Sequence, residues 1–121
     1  MIVAGFGFRS AASPDSLRAA LAQAQEGVPA ITHLATAADK AAALAPLAEI
    51  LELPVIGIAT EALALVTTPT RSRASVHARG TGSVAEASAL AGAGAGARLL
   101  RQRCISADRM ATCAIAQGAL P

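Results

Sequence analysis

The sequence predicts a three-layer α/β/α sandwich built around a mixed sheet. Short apolar runs alternate with segments of helical spacing over the first hundred residues, as in α/β folds. The end of the chain holds two further apolar runs separated by a turn, which predicts a C-terminal antiparallel hairpin. We expect one domain spanning 1–121, because a chain of this length can bury a core without disulfides.

Strong local signals mark the first strand and helix. Ile2–Ala4 is an apolar run before glycine, which predicts a short buried strand. Ser13 is suited to cap a helix that has Pro14 at its first position, and Gly27 ends that helix. The run 30–35 predicts the second strand.

The next segment repeats this pattern with shorter elements. Thr36 and Asp39 have the spacing of a capping box at the start of a helix. The predicted buried stripe of that helix consists of Leu44, Leu47, Ile50 and Leu51. The run 55–58 predicts a third strand, and Thr60 is expected to cap a short helix after it.

A glycine loop that leads into a helix organises the following segment. The stretch 67–79 predicts mostly loop, with a short strand at 75–78. Ser83 then has the character of an N-cap, and Glu86 three residues later completes the spacing of a capping box. The glycine-rich stretch 92–97 is expected to end this helix.

The final hairpin brings the two cysteines together. Strands at 99–106 and 110–116 flank a turn at 108–109. If the loop has two residues, Cys104 lies opposite Cys113 at a non-hydrogen-bonded pair, a geometry that permits a disulfide. A cytosolic setting favours two reduced, buried thiols instead, so both redox states stay open.

Composition excludes several classes of function. Only two aromatic residues are present, both phenylalanine, which argues against nucleic-acid binding by base stacking. The apolar runs are too short to cross a membrane, and the chain begins with a strand signal rather than a signal peptide, so the cytoplasm is expected. His33 and His77 lack partners at metal-ligand spacing, so no metal site and no cofactor are expected.

The charge pattern favours an anionic ligand. Seven arginines lie within 71–121, against two carboxylates, and arginine binds carboxylates in a forked, two-bond geometry. The segment 80–85 imitates a dinucleotide-binding fingerprint, but it lies late in the chain and lacks the strand and acidic residue that should follow. The sequence also lacks a phosphate-loop signature and a Gly-x-Ser-x-Gly nucleophile motif.

Two glycine segments are predicted to form the ligand site. We expect the loops 5–9 and 80–87 to meet beyond the carboxyl ends of the strands, where α/β sheets bind ligands, with free amides at the second helix start. The candidate ligand-binding residues are Gly5, Gly7, Arg9, Thr36, Asp39, Lys40, Gly80, Gly82, Ser83 and Glu86. Lys40 and Glu86 are also catalytic candidates, whereas helix capping offers Thr36, Asp39, Ser83 and Glu86 a purely structural role.

These motifs resemble a known family. The order Gly5-x-Gly7-x-Arg9, Thr36-x-x-Asp39-Lys40, Gly80-x-Gly82-Ser83-Val84-Ala85-Glu86-Ala87 and Thr112-Cys113-Ala114-Ile115-Ala116 is similar to that of the CobE family and the C-terminal domain of CbiG. The resemblance implies a role in making the corrin ring of cobalamin. Many relatives carry cysteine where this chain has Phe8, so a thiol nucleophile is not available there.

Three functions follow as expectations. The first is binding of a tetrapyrrole intermediate, a precorrin whose flat apolar ring is edged with carboxylates. The second is a hydrolase that opens a lactone on a cobalt-precorrin, as the CbiG resemblance implies. The third is a non-catalytic accessory that contacts other enzymes of the pathway. The residues alone do not identify the precorrin or say whether it carries cobalt.

Overall fold

A computed structural model describes residues 1–73, 75–76 and 80–119. Its strands are β1 Ile2–Phe8, β2 His33–Ala37, β3 Val55–Ile58, β4 Arg98–Ile105 and β5 Ala111–Gln117. The helices with defined bounds are α1 Pro14–Gln25, a 3-10 helix Ala38–Leu44, α2 Ala45–Leu51, α3 Thr60–Ala64 and α4 Val84–Ala93. Among the described residues, the strands form one sheet in the order β3-β2-β1-β5-β4.

The sheet is mixed, as predicted. β1, β2 and β3 run parallel, whereas β5 pairs antiparallel with both β1 and β4. β1 therefore lies in the middle of the sheet, and its carboxyl end at Phe8 faces the start of β5 at Ala111. This pairing places the β4–β5 turn beside the end of β1.

Helices cover both faces of the sheet. On one face, Ile2, Ala4 and Phe6 of β1 pack in a core cluster with apolar residues of α1 and α2, including Leu17 and Leu47. On the other face, the backbone of α4 lies directly over the glycines of β1. The three-layer α/β/α prediction is thus confirmed.

Gly5 and Gly7 do not form the predicted loop, because β1 continues through both of them to Phe8. A Cβ atom at Gly5 would lie 2.2 Å from the carbonyl oxygen of Ala85 and 2.4 Å from the amide nitrogen of Ala89. Gly5 therefore allows α4 to pack closely on β1, and a strand in such a contact favours glycine just as a tight turn does.

The predicted capping box at Thr36 is also wrong. Thr36 is the fourth residue of β2, and its buried hydroxyl donates to the carbonyl oxygen of Phe6 at 2.8 Å. The 3-10 helix begins instead after Ala37, without a side-chain cap. Thr60 is likewise the first residue of α3 rather than its cap, which is Ala59.

Two further predictions, one of a buried helix residue and one of a strand, need correction. Ile50 is 59% exposed, whereas Leu44 and Leu47 are buried, because Ile50 lies at the edge of the apolar stripe of α2. Ser75 and Val76 are helical rather than extended, since the amide of Val76 donates to the carbonyl of Ser72 four residues back. The remainder of the predicted strand at 77–78, like His77, lies outside the described residues.

The hairpin has the predicted register and a longer loop. Cys104 pairs with Cys113, and neither sulfur is in a disulfide. The amide of Ser106 donates to the carbonyl of Ala111 at 2.9 Å, which leaves four residues in the loop instead of two. Arg109 takes a left-handed conformation with φ 61° to close the turn.

Candidate functional site

A hollow of about 480 Å³ opens at the carboxyl end of β1. It lies where the end of β1, the 3-10 helix, the start of α4 and the β4–β5 hairpin converge. Its polar and glycine lining consists of Gly7, Arg9, Lys40, Ser72, Ser75, Ser83, Arg103, Arg109 and Thr112. Its apolar lining consists of Phe8, Val84, Ile105, Met110 and Ala111.

Four cations surround this hollow. Arg9 follows β1, Lys40 lies in the 3-10 helix, Arg103 is on β4 and Arg109 is in the hairpin turn. No carboxylate among the described residues lines the hollow. The amide of Arg9 donates to the carbonyl of Met110 at 2.9 Å, which joins the end of β1 to the hairpin turn. The arrangement is suited to an anion with several acidic groups.

Lys40 is held against the end of β1. Its Nζ donates to the carbonyl oxygen of Phe8 and lies 4.9 Å from the centroid of the Phe8 ring. The ring attracts the ammonium through its quadrupole, and the two contacts together restrict the long side chain. The charge of Lys40 is therefore already positioned at the hollow.

Ser83 connects the hollow with α4. Its buried hydroxyl accepts a hydrogen bond from the amide of Glu86 at 3.2 Å, which confirms the predicted N-cap. The same residue lines the hollow beside Val84, so the beginning of α4 faces the cluster of cations. Serine at this position satisfies a helix amide that would otherwise be unpaired.

Glu86 has a different role from the one that its spacing suggests. Its side chain is fully buried, and one carboxylate oxygen accepts from the amide of Thr70 at 3.0 Å. The other oxygen accepts from the Thr70 hydroxyl at 2.8 Å and from the amide of Arg103 at 3.0 Å. A register irregularity in β4 between Arg101 and Cys104 accompanies this contact. Glu86 thus joins the 70–72 loop to β4 from behind the hollow.

The structure separates the predicted site residues into two groups. Those that line the hollow are Gly7, Arg9, Lys40 and Ser83. Those that are absent from its lining are Gly5, Thr36, Asp39, Gly80, Gly82 and Glu86. A Cβ atom at Gly82 would lie 2.5 Å from the carbonyl oxygen of Thr70, so Gly82 allows the 70–72 loop to approach α4. Gly80 has a φ of +70°, which glycine adopts without strain.

Sequence reasoning missed Arg103 and Arg109, which line the hollow from the hairpin. The excess of arginine in the second half of the chain was the available signal. Assigning individual arginines required the antiparallel pairing of β5 with β1, which a linear pattern does not specify. Ser72 was missed because its segment has no regular spacing.

A second hollow of about 350 Å³ adjoins the first. Arg71, Ser72, Arg73 and Val76 line it, and Ser72 lines both hollows. No carboxylate among the described residues contributes to the second lining either.

Asp108 holds the hairpin turn next to α1. Its carboxylate accepts from the Ser106 hydroxyl at 2.6 Å, from the Ser16 hydroxyl and from the amide of Met110 at 3.0 Å. These hydrogen bonds, those of Ser106 and Ser16 above all, lower the pKa of the Asp108 carboxyl.

Burial, and secondarily the charge of Cys104, raises the pKa of the Cys113 thiol well above its ordinary value.

The described ranges contain neither a metal-binding cluster nor a membrane-spanning helix. No cluster of three or more histidine, cysteine, aspartate or glutamate side chains there has the arrangement of a metal site. No helix there has the length and apolar character to span a bilayer.

Comparison with known proteins identifies the family. The family model described as the cobalamin synthesis G C-terminus matches residues 2–116. The crystal structure of CobE, a protein from the cobalamin (vitamin B12) biosynthetic pathway, is similar with a TM-score of 0.87 and 31% identity over 98% of this chain and 91% of that chain. The cobalamin biosynthesis protein chiG from Agrobacterium tumefaciens str. C58 has a TM-score of 0.75 and 35% identity, covering 99% of this chain and 100% of its own. No curated protein matches the sequence. The chain therefore belongs to the cobalamin synthesis G C-terminal family and is a protein of cobalamin biosynthesis.

Proposed function

We propose that the protein binds a precorrin, an acid-edged tetrapyrrole intermediate of cobalamin biosynthesis, in the hollow at the end of β1. The observation that carries this proposal is the set of four cations around one hollow whose described lining contains no carboxylate. Arginine binds carboxylates through forked, two-bond contacts, and such contacts orient a ligand as well as attract it.

The apolar lining fits the rest of such a ligand. Phe8, Val84, Ile105 and Met110 provide a surface against which the face of a flat ring can pack. The volume of about 480 Å³ lies within the range of roughly 300–1,000 Å³ that is usual for small-molecule sites. We expect the site to hold one edge of the macrocycle while the remainder stays outside.

The contacts of the catalytic candidates support binding rather than turnover. Glu86 has three hydrogen-bond donors from the protein and is absent from the lining of the hollow. Lys40 already donates to a backbone carbonyl. The concave hollow also supports ligand binding over a purely accessory role among pathway enzymes. The extent of the functional domain, 1–121, is still a prediction from the sequence. The same holds for a cytoplasmic location.

Two stable corrinoids test the proposal. Cobyrinic acid carries free carboxylates, whereas the corresponding side chains of cobinamide are amides. Calorimetric titration of the purified protein should show binding of cobyrinic acid that weakens with added salt, and binding of cobinamide at least about tenfold weaker. Absence of binding to cobyrinic acid at high micromolar concentration would refute the proposal. Release of acetaldehyde from a lactone-bearing precorrin would instead establish the hydrolase.

Arginine variants inside and outside the hollow locate the site. Arg9→Gln with Arg103→Gln should weaken cobyrinic acid binding by about tenfold or more, because both side chains line the hollow. The amide of Arg103 that donates to Glu86 is backbone, so this substitution leaves that bond in place. Arg98→Gln is the control, since Arg98 is exposed and pairs with Gln117 at the opposite end of the sheet. Equal weakening by Arg98→Gln would place binding elsewhere.

A further inference from the structure

Arg71 and Arg73 lie in a second hollow that the proposed precorrin site does not use. This hollow, of about 350 Å³, shares Ser72 with the first hollow, so the two are neighbours. Its described lining contains two guanidinium groups, one hydroxyl and one valine, with no carboxylate. Both arginines are exposed at the protein surface.

The backbone around Arg71 is anchored on both sides. The Thr70 amide and hydroxyl are bound by the carboxylate of Glu86, as described above. On the other side, the amide of Ser72 donates to the carbonyl oxygen of Gly82 at 2.6 Å. Arg71 also approaches Gly82 closely, since its Cγ would lie 3.1 Å from a Cβ atom built there. The guanidinium of Arg71 therefore extends from a fixed base, which lowers the entropy lost when it binds a ligand.

A hydroxyl without a partner lies beside Ser72, the residue that lines both hollows. Ser75 Oγ is buried and has no hydrogen-bond partner within the described part of the chain. Ser75 lines the first hollow, and its amide donates to the hydroxyl of Ser72 at 3.4 Å. A buried hydroxyl without a partner costs free energy, which an oxygen of a bound ligand would recover.

The geometry points to a second carboxylate subsite, formed by Arg71, Ser72 and Arg73, that binds another acidic side chain of the same macrocycle. This inference rests on the proposed function, because a precorrin carries several acetate and propionate groups around one ring. With one edge of the ring in the first hollow, a neighbouring side chain reaches across Ser72 into the second. Two arginines provide forked donors of the kind that carboxylates accept.

A charge-matched pair of double variants tests the subsite. R71Q/R73Q removes the two guanidinium groups of the second hollow, whereas R18Q/R98Q removes two exposed arginines that line neither hollow. We expect R71Q/R73Q to weaken cobyrinic acid binding by about tenfold, with little effect on cobinamide binding. R18Q/R98Q should bind both corrinoids like the wild-type protein, and both variants should keep its melting temperature.

The outcomes separate this inference from the proposed function. If R71Q/R73Q binds cobyrinic acid as tightly as the wild-type protein does, the subsite is overturned and the first hollow alone remains the proposed binding site. Absence of wild-type binding overturns both. A titration with inorganic phosphate tests the alternative that the second hollow binds a small anion unrelated to the macrocycle. Phosphate binding that R71Q/R73Q abolishes, without competition against cobyrinic acid, would show an independent anion site and overturn the subsite.

Discussion

The buried carboxylate of Glu86 accepts hydrogen bonds from both the backbone amide and the hydroxyl of Thr70, at 3.0 and 2.8 Å. A third bond from the amide of Arg103 brings the 70–72 loop and β4 to one side chain of α4. Both of these segments line the hollows, so a residue outside the site determines the position of residues within it.

Glu86→Gln should destabilise the fold. The amide group of glutamine offers one acceptor oxygen and places donors opposite the donors of Thr70 and Arg103, which leaves at least one buried group unsatisfied. We expect the free energy of unfolding to fall by about 2 kcal/mol, measured by urea denaturation. Glu49→Gln is the control, because Glu49 is exposed on α2 and should change the value by less than about 0.5 kcal/mol. Equal stability of the two variants would contradict this role of Glu86.

The packing of α4 on β1 yields a second prediction. Gly5→Ala would place a Cβ atom 2.2 Å from a backbone oxygen of α4, so the helix has to shift, and we expect a loss of at least about 3 kcal/mol in urea denaturation. Gly7→Ala should cost less, because its nearest atom would be the side-chain oxygen of Thr112 at 3.0 Å, which can give way with the loss of its hydrogen bond to the Gly7 carbonyl, whereas Gly5 meets backbone. A larger loss for Gly7→Ala than for Gly5→Ala would show that the close approach of α4 is not what requires glycine.

The two glycines of β1 also show where sequence reasoning succeeds and where it fails. Local signals predicted the approximate positions of the five strands of the sheet, the cap at Ser13, the cap at Ser83 and the pairing of Cys104 with Cys113, since each depends on a few neighbouring residues. Gly5 and Gly7 did not indicate by themselves whether they lie in a loop or in a strand, because a tight turn and a strand in contact with a helix both require the absence of a side chain. Only the position of α4 distinguishes the two cases.

The site was harder to predict than the fold for the same reason. Arg9, Lys40 and Ser83 were recognised from local motifs, and one hollow does join them. The hydrogen-bond partners of Glu86 are 16 and 17 residues away in sequence. The capping-box spacing of Ser83 and Glu86 instead predicted a local partner. Arg109 reaches the hollow only because β5 pairs antiparallel with β1, a long-range contact that residue spacing does not reveal.

The carboxylate of Asp108 should make stability depend on pH in the acidic range. Its pKa is lowered in the folded state by hydrogen bonds from Ser106 and Ser16, so its contribution is present above the unfolded pKa of about 3.9. That contribution is lost as pH falls through the folded pKa, because protonation weakens those bonds. Asp108→Asn should therefore lower the melting temperature at pH 7 and have a diminishing effect as the pH falls below 4. A melting-temperature difference between Asp108→Asn and the wild-type protein that is constant from pH 7 to pH 2.5 would contradict this role of Asp108. Glu49→Gln is again the control.

The two cysteines should differ in reactivity although they face each other across the hairpin. Cys113 is fully buried and its thiol pKa is raised by burial, so little reactive thiolate forms, whereas Cys104 is half-buried on the edge strand. A thiol reagent such as DTNB should modify Cys104 in the native protein and reach Cys113 only on unfolding. Cys104→Ser should then remove the native reaction, and Cys113→Ser should leave it intact. In denaturant without reductant, wild-type protein should yield two thiols, and a lower count would show that the facing cysteines are joined as a disulfide.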